Sequence, residues 1–216
     1  MTYWLKRIVW LVITILGMTF LVHAIMDATP GDAAMITAKP VIYLYPEETI
    51  EVEVQLETDG EFVATWPAYE NGWRVTARPD GTLTDAGGNE YSYLFGEAES
   101  DAVYDFSQGF CVAGEDTGEF LRETLAAMGL TPKEYNEFIV YWLPLMQNNP
   151  WNLISFQSET YTESAVLTVS PAPDSLLRVF MAWQPLTEAV EVEPQFIESF
   201  QRNGFTVVEW GGTQVK

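Results

Sequence analysis

The chain has 216 residues, a net charge of −21 and 48% hydrophobic residues. That apolar content supports a packed core and excludes a disordered chain; the charge excludes nucleic acid, whose phosphates it would repel, and docking of the domain surface to anionic lipid. Cys111 is the only cysteine, which excludes an internal disulfide, and the only histidine, His23, lies in an apolar N-terminal run, which removes Ser-His-Asp and Cys-His catalysis and histidine-ligated zinc from the rest of the chain.

That run, residues 8–26, is broken only by Thr14, Gly17, Thr19 and His23 and is preceded by Lys6 and Arg7. It is long enough to cross a hydrocarbon core of about 30 Å as a helix. The leading cations place the N-terminus in the cytoplasm and the remainder outside. The run reads as an uncleaved signal anchor, and Val22-His23-Ala24 also offers the exit of a cleaved signal peptide. The first outcome leaves the domain on the membrane, the second secretes it. Residues 27–39 are small and polar and read as a linker; residues 40–216 read as one extracytoplasmic domain.

Strands come next. Residues 41–45 form an apolar run between two prolines. In residues 49–57, Ile50, Val52, Val54 and Leu56 alternate with Glu51, Glu53, Gln55 and Glu57. Period two puts the apolar set on one face and the acids in water, which favours antiparallel pairing. Residues 61–66 and 73–78 read as further strands, with Asn71-Gly72 as a hairpin signal between them. Short returns follow at 82–84 and 91–95.

Helical spacing begins after Cys111. Asp116 and Glu119 have capping-box form, Gly129 closes the helix, and Thr131-Pro-Lys-Glu134 is a second capping box with proline at the first helical position. This second helix is expected to end near Phe138, where the aromatic and β-branched run 138–143, stopped by Pro144, reads as a strand. Strands are expected at 153–157, 165–169 and 176–183, a third helix at 194–202, and a last strand at 205–210. The fold class is α+β: an antiparallel β meander or sandwich with two or three short helices inserted, after an N-terminal transmembrane or signal helix.

Four strings carry a resemblance: Lys39-Pro-Val-Ile-Tyr-Leu-Tyr-Pro46, Tyr93-Leu-Phe95 with Glu97, Tyr141-Trp-Leu-Pro144 with Met146, and Val208-Glu-Trp-Gly-Gly212. They resemble an uncharacterised family of exported or membrane-anchored bacterial proteins, over roughly residues 39–212. The resemblance implies no catalytic residue. Gly96 stands where an aromatic residue is expected in relatives.

Phosphate-cradling motifs and an EF-hand loop are absent, and no cofactor or metal is expected. Asp80, Asp85, Asn89 and Glu90 are explained by two turns. The catalytic option left is a carboxylate pair as in glycoside hydrolysis, with Glu97 and Glu209 as candidates because each ends an apolar or aromatic strand. Trp73, Trp142, Trp151 and Trp210 are candidate sugar platforms. The expected function is a non-catalytic, membrane-anchored module binding a protein, peptide or glycan; the alternative is a glycan hydrolase at the cell surface. A ligand is expected at Trp151, Asn148 and Asn149, where an aromatic at a strand end adjoins an amide-rich loop. Cys111 is expected to be buried and inert.

Overall fold

The computed structural model describes residues 35–215. The apolar run 8–26 and most of the linker lie outside the described residues. Among the described residues no helix is long and apolar enough to cross a membrane.

Two sheets and three short helices build an α+β fold. The larger sheet contains β1 (Met35–Tyr45), β3 (Phe62–Trp66), β7 (Leu94–Ser100), β8 (Gln108–Ala113), β9 (Trp151–Gln157), β11 (Ser175–Leu186), β12 (Glu193–Pro194) and β13 (Thr206–Gln214), in the order β12-β8-β9-β11-β13-β1-β7-β3. The smaller contains β2 (Ile50–Thr58), β4 (Trp73–Ala77), β5 (Leu83–Thr84), β6 (Glu90–Tyr91) and β10 (Ala165–Ser170), in the order β10-β2-β4-β5-β6. The helices are α1 (Thr117–Ala127), α2 (Pro132–Met146) and α3 (Glu159–Ser164).

Alternation along the central strands divides the core in two. Ile42, Leu44, Phe180 and Val207 of the larger sheet meet Val52, Val54, Leu56 and Trp73 of the smaller. Val41, Tyr43, Met181, Val208 and Trp210 point the other way, onto Leu121 and Leu125 of α1 and Phe138, Trp142 and Met146 of α2. The larger sheet is therefore covered on both faces, and its central strands read as continuous apolar runs for that reason.

Three of the four strings that carry the resemblance meet at one place. The register of β1 slips around Lys39-Pro40 on both of its sides, as a residue without an N–H requires inside a sheet. A side chain at Gly211 would lie 3.1 Å from Pro40 Cα, and one at Gly212 2.9 Å from the Trp142 ring. The glycines let the bulge and α2 approach the backbone of β13.

Several expectations are corrected. The run 138–143 is helical: Phe138, Trp142 and Met146 are buried at spacings of four, while Val140 and Leu145 are exposed. Pro144 lies in the last turn on the exposed side, where water can take the carbonyl it leaves unpaired. Asn71 adopts the left-handed conformation of a turn, but β3 pairs with β7 and β4 with β2, so the turn joins two sheets and makes no hairpin. The larger sheet is mixed, because β11 runs parallel to β13 and β12 to β8, while the smaller is antiparallel throughout. Residues 195–203 are not helical. The Gln195 side chain bonds both backbone groups of Phe156, at 2.9 and 2.6 Å, beside the short β8. That contact holds the segment extended and leaves Phe196 87% exposed. Asp116 makes no side-chain cap at α1; Thr131 and Glu134 do cap α2, the Thr131 N–H donating to Glu134 Oε2 at 2.7 Å.

Candidate functional site

Polar and aromatic surface gathers where the end of β3 meets β4–β6 of the smaller sheet. Trp66 ends β3, where Pro67 stops the strand, and is 63% exposed. Its ring meets Tyr91 edge-on, with centroids 6.0 Å apart. The Tyr91 hydroxyl donates to Asp85 Oδ2 at 2.8 Å. Asp85 also accepts from the N–H groups of Gly87 and Asn89, at 2.8 and 2.9 Å, and from Asn89 Nδ2 at 3.0 Å. The Asn89 side chain and backbone, then the Tyr91 hydroxyl, hold the Asp85 carboxyl down at about 2. The turn thereby fixes the Tyr91 hydroxyl, while its ring packs at the margin of the core between the sheets.

A groove of about 400 Å³ runs beside Trp66, Pro67, Glu70 and Tyr91 to Arg74. Arg74 and Asp85 also border a second groove of about 530 Å³ that contains Glu51, Glu53, Thr76, Thr84 and Ser170. Strand register sets these side chains in two rows across the sheet, Ser170–Glu53–Arg74 and Glu51–Thr76–Thr84. On a sheet face the backbone groups are spent in the ladders, so a ligand there finds side-chain donors and acceptors, and it reaches the two rings only past Arg74 and Asp85, where the grooves adjoin. The sequence hides this site because Trp66 reads as one more strand aromatic; the signal was Trp-Pro at a strand end beside a turn.

The other candidates fall elsewhere. Glu97 and Glu209 lie on opposite faces of the larger sheet. Gly96 faces Trp73 of the smaller sheet, 3.2 Å from a side chain placed there, which leaves no room for an aromatic and turns Glu97 to the helix side. There the Glu97 charge, after burial, raises the pKa of Tyr141. Glu209 is fully buried between the sheets. It accepts from Tyr161 Oη at 2.8 Å and is ion-paired to Arg178 Nε. Burial alone would lower the Arg178 pKa, and the Glu209 charge and hydrogen bond overcome that and raise it. Burial, then the Glu209 charge, pushes Tyr161 well up. No cleft contains both carboxylates, so the two-carboxylate geometry of glycoside hydrolysis is not formed by them.

Trp73, Trp142 and Trp210 are core residues, not platforms. Trp151 is half-buried at the start of β9 and belongs to neither core cluster. Asn148 is exposed. Asn149 Nδ2 donates to Asn152 Oδ1 at 2.8 Å, and Asn152 Nδ2 donates to Met146 O and Thr117 Oγ1, at 3.1 and 3.0 Å. This chain of amides ties the end of α2 to β9 and α1. Cys111 is half-buried, its sulfur 3.4 Å from the Val190 N–H. Among the described residues no three His, Cys, Asp or Glu side chains converge as a metal would need. Asp80 caps Thr82 N–H at 2.9 Å, and Glu90 pairs with Arg78 at 2.9 Å.

An α+β domain of one mixed and one antiparallel sheet, with an open aromatic trench and a buried ion pair, is the class that fold and geometry define. No family model matches the chain, and no solved structure does. It is 42% identical over 76 residues to "Uncharacterized protein in bglA 3'region" of Butyrivibrio fibrisolvens, a match covering 34% of this chain and 74% of that protein. The chain belongs to the family of that uncharacterised protein.

Proposed function

We propose that the domain is a non-catalytic module, held outside the cytoplasm by residues 8–26, and that it binds a glycan along the Trp66–Tyr91 trench. One observation carries the reading: Trp66 is 63% exposed while a neighbouring ring and a capped turn hold its surroundings in place. An exposed indole face suits the apolar face of a sugar ring. The carboxylates and hydroxyls of the two cross-strand rows suit its hydroxyls. Burial of Glu209 against Arg178 and its separation from Glu97 by the sheet give the hydrolase alternative no such support.

The test is titration of the purified domain with soluble polysaccharides and oligosaccharides, followed by tryptophan emission and affinity electrophoresis. Binding is expected, and Trp66→Ala is expected to weaken it at least ten-fold. Equal binding by parent and Trp66→Ala protein, or loss only after Trp151→Ala, moves the site elsewhere.

A further inference from the structure

Each sheet ends in two outer strands. β12 and β6 are two residues long, too short to template a partner. β3 has five residues and a register shift between Phe62 and Ala64, and such bulges protect an edge. β10 is different. All of its six residues pair with β2 in unbroken register. It contains no charge, proline or bulge, the devices by which edges are blunted. Every second residue of an antiparallel strand turns its N–H and C=O away from its neighbour, so β10 presents a row of backbone groups outward. Leu167 and Val169 face the core yet are only half-buried, as apolar residues are when no strand lies beyond them.

The neighbouring side chains define what fits. On the outer face Val166, 47% exposed, lies opposite Glu57, Thr168 opposite Gln55 and Ser170 opposite Glu53. The β10 side chains are short, so a lysine or arginine on an added strand reaches over them to the carboxylates of β2. On the inner face an added strand meets Leu167 and Val169 and wants apolar, β-branched residues. A second copy of this chain fits badly, because it brings another net charge of −21 and the same acidic row.

We propose that the β10 edge takes up an extended cationic peptide as an added strand, with lysine or arginine outward and apolar residues inward. Backbone pairing supplies the affinity and the alternation supplies the selectivity. The added strand lies at the opposite edge of the smaller sheet from Tyr91; it shares Ser170 and Glu53 with the second groove, and Trp66→Ala separates the two readings.

The probe is an end-blocked peptide of four Lys-Val repeats, followed by fluorescence anisotropy and amide exchange on the full domain. The expected result is saturable binding that slows exchange at residues 165–170 and that Trp66→Ala leaves unchanged. The fully N-methylated peptide, which keeps the charge but lacks N–H donors, is expected to bind at least ten-fold more weakly. V166K/T168K, at two exposed positions, is expected to weaken binding to a similar degree. The proposal is overturned if the Lys-Val peptide does not bind, if the N-methylated or a Glu-Val peptide binds as well, or if sedimentation shows self-association that T168K abolishes.

Discussion

Two buried glutamates, Glu134 and Glu209, each pair with an arginine, and the molecule treats them differently. Glu134 sits at the first turn of α2, where it accepts the Thr131 N–H and the Arg202 Nη1 at 2.7 and 3.1 Å. Arg202 also donates to Gly129 O at 2.9 Å and keeps 26% of its side chain in solvent. Glu209 has no helix terminus beside it. Its partners are Arg178, with only 9% of the side chain exposed, and Tyr161. Arg178 Nη2 is buried without an acceptor. The Tyr161 ring, stacked on Phe180 at 4.1 Å, lies 4.8 Å from the Arg178 guanidinium carbon. A charge at a helix start has backbone donors and a favourable dipole whichever side chain arrives. A charge between two sheets depends wholly on its partner.

The largest expected effect breaks the second pair. Arg178→Met leaves Glu209 buried and uncompensated and should cost about 3–5 kcal/mol in urea unfolding. The double variant Arg178→Met/Glu209→Met should recover most of that loss, because two apolar residues can replace a buried pair. If the double variant is no more stable than the single, Glu209 is not held by Arg178.

Glu134→Gln should cost less, about 1–2 kcal/mol, since the amide still accepts the Thr131 N–H and Arg202 can turn to water. A loss as large as that of Arg178→Met would remove the distinction between the two regions. Trp66→Ala should change stability by no more than about 0.5 kcal/mol, because the ring is outside both cores. A melting temperature lowered as far as in Arg178→Met would make Trp66 a core residue.

The smallest effect is a pH dependence. Asp85 is held at about 2 against an ordinary 3.8, so its contribution is complete above 3.8 and fades as pH falls towards 2. The Tyr91 ring resonances of the folded protein should shift with a midpoint near pH 2, and Asp85→Asn should remove the shift. An unchanged Tyr91 spectrum in the parent down to pH 2 would show that Asp85 does not orient it.

The sequence was most readable where a local pattern decides the outcome. Val52, Val54 and Leu56 are buried as their alternation requires. Thr131 and Glu134 form the capping box that their spacing implies. Gly129 ends α1 in a left-handed turn, with the Leu130 N–H bonded to Leu125 O. Partners distant in the chain were not readable. Nothing near Glu209 announces Arg178 or Tyr161, and a carboxylate at the end of an apolar strand reads equally as a catalyst or as half of an ion pair. The helix expected at 194–202 does not form, because the Gln195 contact with Phe156 overrides it. Asn71-Gly72 gave the turn but not the fact that its strands part into different sheets.

β13 lies between β1 and β11, so residues 206–214 join residues 35–45 to residues 175–186. A chain still lacking that segment holds two groups of larger-sheet strands that do not pair with each other. Its two central strands each expose an open edge, and Val208 and Trp210 are missing from the layer under α1 and α2. The sheet therefore closes through contacts far apart in sequence, and such topologies fold slowly. Removing the final strand should abolish the fold as a whole rather than fray one end of it.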